Sequence, residues 1–409
     1  MTGLVITLLW FPLLGAAFTR LAGKTSWFLA GAGVNGVALF IAGTLHLPLK
    51  PVIAVLGLAA IFILTTSHPP TPNNHRRALP LHITAAILLF GAIITPVNDY
   101  DGRAFWLLKA KAIAHEQRID GPFFQLQTAH SPRNGYPLLV PLDAATVMMF
   151  ARDDDDRHTR ALYAMFAIAL AFEIKRRFAT WFSPMTGVWF ATLLLWLPAV
   201  MSASGGARSA GCDIPLAAFA GCAFFELAVE SMGGRGAARF GLWLACLALT
   251  KPEGLPFALV FLLAGVFVFR RRLLISAIPF AAALAALVAW RARIPSTDDP
   301  NLFALFTRLP QRIGFTGQAI REFLRWFDFL WIAVVLAIVY LAIKRAWRPL
   351  ALGLIAIVPM LALYLVAYIV TDWMIVELVR VTATRLLSHF VAPALFLVAA
   401  ALHVTQSRA

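Results

Sequence analysis

Charge is what this 409-residue chain has least of. Only 13% of its residues are Asp, Glu, Lys or Arg, against roughly 25% in an ordinary soluble domain. Cysteine is nearly absent as well. Cys212, Cys222 and Cys246 lie in or beside apolar runs without metal-ligand spacing, which argues against both a zinc site and a disulfide framework. No basic flank precedes the first apolar run, so Met1–Thr19 reads as a retained span and not as a cleaved signal. No internal repeat is visible, and no polar stretch is long enough for a soluble domain. The apolar runs are continuous and do not alternate, which argues against a transmembrane β-barrel.

What fills the chain is hydrophobic sequence, 60% of all residues. A membrane-spanning helix needs roughly 20 mostly apolar residues, because the hydrocarbon core is about 30 Å thick. Runs of that kind recur at 1–19, 25–45, 50–67, 79–97, 158–174, 180–203, 214–232, 238–250, 255–269, 273–290, 326–343, 349–370 and 386–404. The expected fold is therefore an all-α polytopic membrane protein of about 13 transmembrane helices, with juxtamembrane helices in its first large outer loop. The expected parts are N-terminal membrane helices (1–97), an outer loop (98–157), a membrane core (158–290), a second outer loop (291–325) and C-terminal membrane helices (326–409).

A net charge of +15 would fit nucleic acid in a soluble chain. Here the cations sit in short clusters between apolar runs, the pattern that sets membrane orientation, and no nucleic-acid partner is expected. The clusters are Arg20/Lys24, Arg76/Arg77, Lys175–Arg177, Arg235/Arg239, Arg270–Arg272 and Lys344/Arg345/Arg348. All six face the cytoplasm if the N-terminus lies outside. Tyr136–Ala151 is apolar enough to suggest a further crossing, but crossing there would turn Arg270–Arg272 and Lys344–Arg348 outward. It is expected to lie along, or dip into, the outer face; the alternative is that 158–174 or 180–203 fails to span.

The polar residues left outside fall into three groups. The first is Asn98-Asp99-Tyr100-Asp101-Gly102-Arg103-Ala104-Phe105-Trp106-Leu107-Leu108-Lys109-Ala110-Lys111, two carboxylates at the mouth of a span followed by a helix. A carboxylate beside Lys and Arg suits a general base next to a phosphate-binding patch. The alternative is an N-cap with interfacial aromatic anchors. The second is Ser202 to Pro215, a small-residue stretch holding Arg208 and Asp213. Small residues let backbone approach a ligand, whereas Asp213 by itself reads as an N-cap. The third is Lys251-Pro252-Glu253-Gly254, two ionisable groups between apolar runs. Such groups face a cavity or a partner, or simply pair with each other in a tight turn. The long segment 291–325, with Asp298, Asp299, Arg308 and Arg312, reads as a cover for an acceptor site or as a passive lid.

Taken in order, these pieces resemble the polyprenyl-phosphate-sugar-dependent glycosyltransferases of the GT-C superfamily, in the bacterial branch related to protein mannosyltransferases and aminoarabinose transferases. The resemblance rests on Asp101 followed by Trp106-Leu107-Leu108-Lys109-Ala110-Lys111, on His130 with Tyr136-Pro137-Leu138-Leu139, on Ser204 to Asp213-Ile214-Pro215, on Lys251-Pro252-Glu253-Gly254, and on Arg385-Leu386-Leu387 with Pro393. It covers roughly residues 95–400. Pro252 replaces an expected Asn, and extra residues separate His130 from Tyr136.

The resemblance implies a multi-pass protein of the bacterial inner (plasma) membrane with its active site facing the periplasm or exterior. It implies a polyprenyl-phosphate-linked sugar donor, membrane lipid around it, a glycan, lipid or protein acceptor, and inversion at the anomeric carbon. Asp101 is then the general base and Asp213 its support. Lys109, Arg208, Lys251 and Arg385 are expected to hold the donor phosphate. Arg103, Trp106, His130, Tyr136 and Glu253 are expected to support the acceptor. A divalent cation is compatible with the sequence, and none is demanded by it. The competing class is a transporter or flippase for lipid-linked saccharide, which favours repeat symmetry and broken helices at mid-membrane. A structural membrane subunit is a third reading, and it has no need of acids and bases on one side.

Overall fold

The computed structural model describes residues 2–66, 78–126, 133–295, 302–370 and 374–406. Arg76, Arg77, His130, Asp298 and Asp299 lie outside the described residues. Among the described residues every regular element is helical.

Among the described residues, six stretches are long and apolar enough to cross a membrane: Thr2–Ala22, Trp27–Thr44, Leu49–Thr66, Asp213–Ser231, Gly254–Arg291 and Trp347–Val370. Two bent pairs, Thr307–Leu324 with Phe329–Ile343 and Ile375–Ser388 with Val391–Thr405, raise the number to eight. Length and composition alone thus give six to eight candidate spans, which does not confirm the expected 13. The difference lies partly in short helices. Leu79–Ile94, Pro184–Trp196 and Ala237–Thr250 have 16, 13 and 14 residues, or roughly 20–24 Å at 1.5 Å per residue. Arg160–Trp181 is long enough but carries Glu173, Lys175, Arg176 and Arg177 near its end.

The surface is apolar where lipid would touch it. Val55, Leu58 and Phe62 are 64–68% exposed on a single helix. Inside, small residues let helices close up. An added Cβ at Gly15 would lie 1.6 Å from the Trp27 carbonyl oxygen, and one at Gly31 would lie 1.7 Å from that of Phe11. The first two helices therefore touch backbone to backbone.

Polar groups sort to the two ends of the bundle. At one end, Arg239 donates to Glu226 (2.8 and 2.9 Å) and to the Ala22 carbonyl (2.6 Å). Arg177 joins Glu173 to Glu226. Arg272 pairs with Glu230 at 3.0 Å, and Arg348 donates to the Ser231 carbonyl. Members of four basic clusters thus meet here, beside the helix end that follows Arg20. Asp213 begins the helix that Glu226 and Glu230 nearly end, so the opposite polar group stands about 20 Å away.

The stretch Gly254–Arg291 doubles back. Its first residue follows Lys251 and Glu253. Its last donates from Nε to the Gly135 carbonyl at 3.1 Å, next to Tyr136, which lies within electrostatic reach of Glu253 and Lys251. A straight helix of that length would set its ends more than about 50 Å apart. The reversal falls at Arg270, whose φ is +52°.

Leu139–Ala151 is a 13-residue helix buried along most of its length. Gly135 before it meets Arg291, and His158 after it packs on Gly3, both at the end away from the Glu226 cluster. The helix therefore enters and leaves at one end. Its Asp143 accepts from Asn35 Nδ2 (2.9 Å), which also reaches Thr146 Oγ1 (3.1 Å), while Trp10 Nε1 donates to Asn35 Oδ1 (3.0 Å). This buried polar chain, which the sequence analysis did not single out, pins the re-entrant helix to the first two.

Candidate active site

At the other end, Arg385 is the hub. It rides on Ile375–Ser388 and presents its guanidinium to two carboxylates from distant parts of the chain. Nε and Nη2 reach Asp213 Oδ2 at 2.9 and 2.8 Å, and Nη1 reaches Asp101 Oδ2 at 2.8 Å. Such fork-shaped contacts fix direction as well as distance. Lys251 Nζ stands 2.8 Å from Asp213 Oδ1 and 3.3 Å from Glu253 Oε1. His389 Nε2 lies 3.2 Å from the same Asp213 oxygen, and its Nδ1 is 2.6 Å from the Tyr364 hydroxyl. Burial separates these groups into two tiers. Asp213 and His389 are sealed, while the Asp101 and Glu253 side chains are 32% and 33% exposed. Burial alone would neutralise the Lys251 ammonium; Asp213 and Glu253 overcome it and hold its pKa above the ordinary lysine value.

Neither acid caps its own helix. Asp101 makes no side-chain cap bond, and Asp213 spends its oxygens on Lys251, Arg385 and His389. The capping role falls to Asp99, whose Oδ2 accepts from Gly102 N at 2.9 Å and whose Oδ1 accepts from Ser204 Oγ at 3.1 Å. Burial raises the Asp99 pKa despite these bonds and the nearby Arg385. The small-residue stretch packs against the hub. Gly205 has φ +72°, and a Cβ there would lie 2.6 Å from Arg385 Cγ.

A second cluster adjoins the first. The Lys109 ammonium, fully buried, donates to the Arg133 carbonyl at 2.7 Å and stands 5.3 and 5.4 Å from the ring centres of Trp106 and Tyr136. Both distances are within cation–π range. Burial lowers the Lys109 pKa to about 7, with Arg133 adding to the effect. Burial raises the pKa of the Tyr136 phenol, whose oxygen accepts from Arg133 Nη1 at 2.5 Å.

Asp101, Asp213, Lys251, Glu253 and Arg385 are thus brought together, with Trp106, Lys109 and Tyr136 alongside. Lys109 and Arg208, expected at the donor phosphate, both donate to backbone carbonyls, Arg208 to that of Met201 at 3.1 Å. Arg103 points into a separate cleft. His389, Tyr364 and Asp99 were not assigned roles from the sequence. The spacing of Arg385 and His389, four residues apart as on one helical face, was the available signal for His389.

An apolar groove of about 310 Å³ runs beside the hub between Thr316–Leu324 and Trp347–Val370, lined by Phe323, Leu324, Phe327, Leu361, Tyr364 and Tyr368. Tyr364 belongs both to this wall and, through His389, to the Asp213 network. No three His, Cys, Asp or Glu side chains gather as a metal group among the described residues. Asp101 and Asp213 are bridged by the Arg385 guanidinium. Comparison with known proteins found no matching family model, no similar curated protein and no similar solved structure.

Proposed function

We propose that this chain is a glycosyltransferase that moves a sugar from a polyprenyl-phosphate donor to an acceptor at the outer face of a bacterial inner membrane. The observation that carries the reading is the join between the apolar groove and the ionic centre. A lipid-linked substrate needs an apolar lane for its tail ending at polar groups for its head, and Tyr364 and His389 link the two within hydrogen-bond distance.

Asp101 is the general base. One of its oxygens is tied to Arg385, and the other has no protein partner among the described residues. The acceptor hydroxyl or amine attacks the anomeric carbon as its proton passes to Asp101. The bond from that carbon to the phosphate oxygen breaks in line, so the configuration inverts. The departing phosphate takes Arg385 and Lys251 as its cations, replacing the exposed carboxylates of Asp101 and Glu253, while buried Asp213 keeps both in place.

The test is transfer of radiolabelled sugar from polyprenyl phosphate in membranes containing the protein. Asp101→Asn should lower transfer by roughly 10²–10⁴-fold at unchanged expression, and near-normal transfer would remove Asp101 from its role. Passage of the donor across vesicles without covalent transfer would favour a lipid-saccharide transporter.

A further inference from the structure

A second outer cleft, of about 840 Å³, is separate from the hub. Its walls include Pro96, Asn98, Arg103, Lys111, Asp156 and Arg160. Helix Gly102–Leu107 stands between the two: Asp101 at its start turns to Arg385, and Arg103 turns into the cleft. The cleft holds three cations against one carboxylate. Arg103 and Lys111 have no side-chain partner among the described residues. Arg160 reaches Asp156 at a loose 3.6 Å and the Ile93 carbonyl at 3.3 Å, and its Nε is buried without a partner. The cleft therefore carries an uncompensated positive charge with hydrogen-bond donors facing inward.

An apolar stripe leads up to it. Ile83, Ile87, Phe90 and Ile94 repeat at four- and three-residue intervals along Leu79–Ile94 and are 51–65% exposed. That helix ends just before Pro96 and Val97, which line the cleft. A ligand matching both features has an anionic phosphate head and at least one apolar chain.

We propose that this cleft binds the headgroup of an anionic phospholipid, its phosphate held by Arg103, Lys111 and Arg160 and its acyl chain lying along the Ile83–Ile94 stripe. The site is independent of the transferase reading, because it shares no residue with the Arg385 centre.

The test uses the full chain in nanodiscs of mixed phosphatidylglycerol and phosphatidylcholine, with retained lipid read by native mass spectrometry. Wild type should retain phosphatidylglycerol selectively. Each Lys or Arg near an anionic lipid surface contributes about fivefold, so Arg103→Gln with Lys111→Gln should cut the preference by roughly 30-fold. Asp156→Asn, which removes the one opposing charge, should raise it. An unchanged preference in both variants overturns the proposal. To separate a lipid from a free phosphate, inorganic phosphate is added as competitor. If it displaces the lipid at equal concentration, the stripe contributes nothing and the lipid assignment fails. A spin label on the phosphatidylglycerol chain should quench a fluorophore at Phe90→Cys in wild type and not in the Arg103/Lys111 variant; quenching equal in both also overturns it.

Discussion

Lys109 shows how one buried side chain leaves a measurable trace. Unfolded, a lysine holds its proton to about pH 10.5, while in the folded chain burial releases it near pH 7. Between those values the unfolded state binds more protons, so the contribution of Lys109 to stability rises with pH from about 7 toward 10.5. Below that window its charged form must be buried, and the full penalty applies. In thermal unfolding at pH 7, 8 and 9, the difference between wild type and Lys109→Met should move steadily in favour of wild type. The full swing is on the order of a few kcal/mol. A difference that does not change with pH would mean that the ammonium is not sealed between Trp106 and Tyr136.

Among elements, the glycine-rich stretch before Asp213 yields the sharpest contrast. Gly205 and Gly233 both have φ in the left-handed region, +72° and +87°. A side chain at either carries the left-handed backbone cost of roughly 1–2 kcal/mol. Only at Gly205 would it also strike Arg385; nothing lies within 4 Å of a Cβ at Gly233. Gly205→Ala should therefore lower both melting temperature and sugar transfer, whereas Gly233→Ala lowers the melting temperature alone. Equal transfer in the two variants would separate this loop from the hub.

The same elements show what could be read in advance. Helical membrane character was legible because hydrophobicity is a local, additive signal. The convergence of Asp101, Asp213, Lys251 and Arg385 was anticipated through motif order and side assignment, although they are up to 284 residues apart. Crossing number is not confirmed by helix length and composition alone. Whether an apolar run of 13 to 16 residues crosses or dips depends on the partners its polar groups find inside the bundle, as Asp143 finds Asn35. The fate of each cation was not legible. Lys109 and Arg208 look like phosphate ligands in sequence, and only the fold shows them tied to backbone oxygens.

For the whole molecule, orientation is the testable property. The Glu226 cluster gathers Arg177, Arg239 and Arg272 at one end, and the Arg385 hub lies at the other. Single cysteines placed at 154 and 176 should react with a membrane-impermeant reagent from opposite sides. The three native cysteines are buried and give little background. Labelling of both positions from the same side would mean that Arg160–Trp181 does not cross and would refute this arrangement.

The same arrangement also decides where the two ends of the chain emerge. Gly3 touches His158 on the hub side, while Thr405 Oγ1 bonds Tyr340 Oη at 2.9 Å, four residues before Lys344 on the basic side. The two contacts thus lie at opposite ends of the bundle. A reporter fused ahead of Gly3 and one fused after Thr405 therefore sample different compartments, and a fluorophore that matures only in the cytoplasm would light up from one terminus alone.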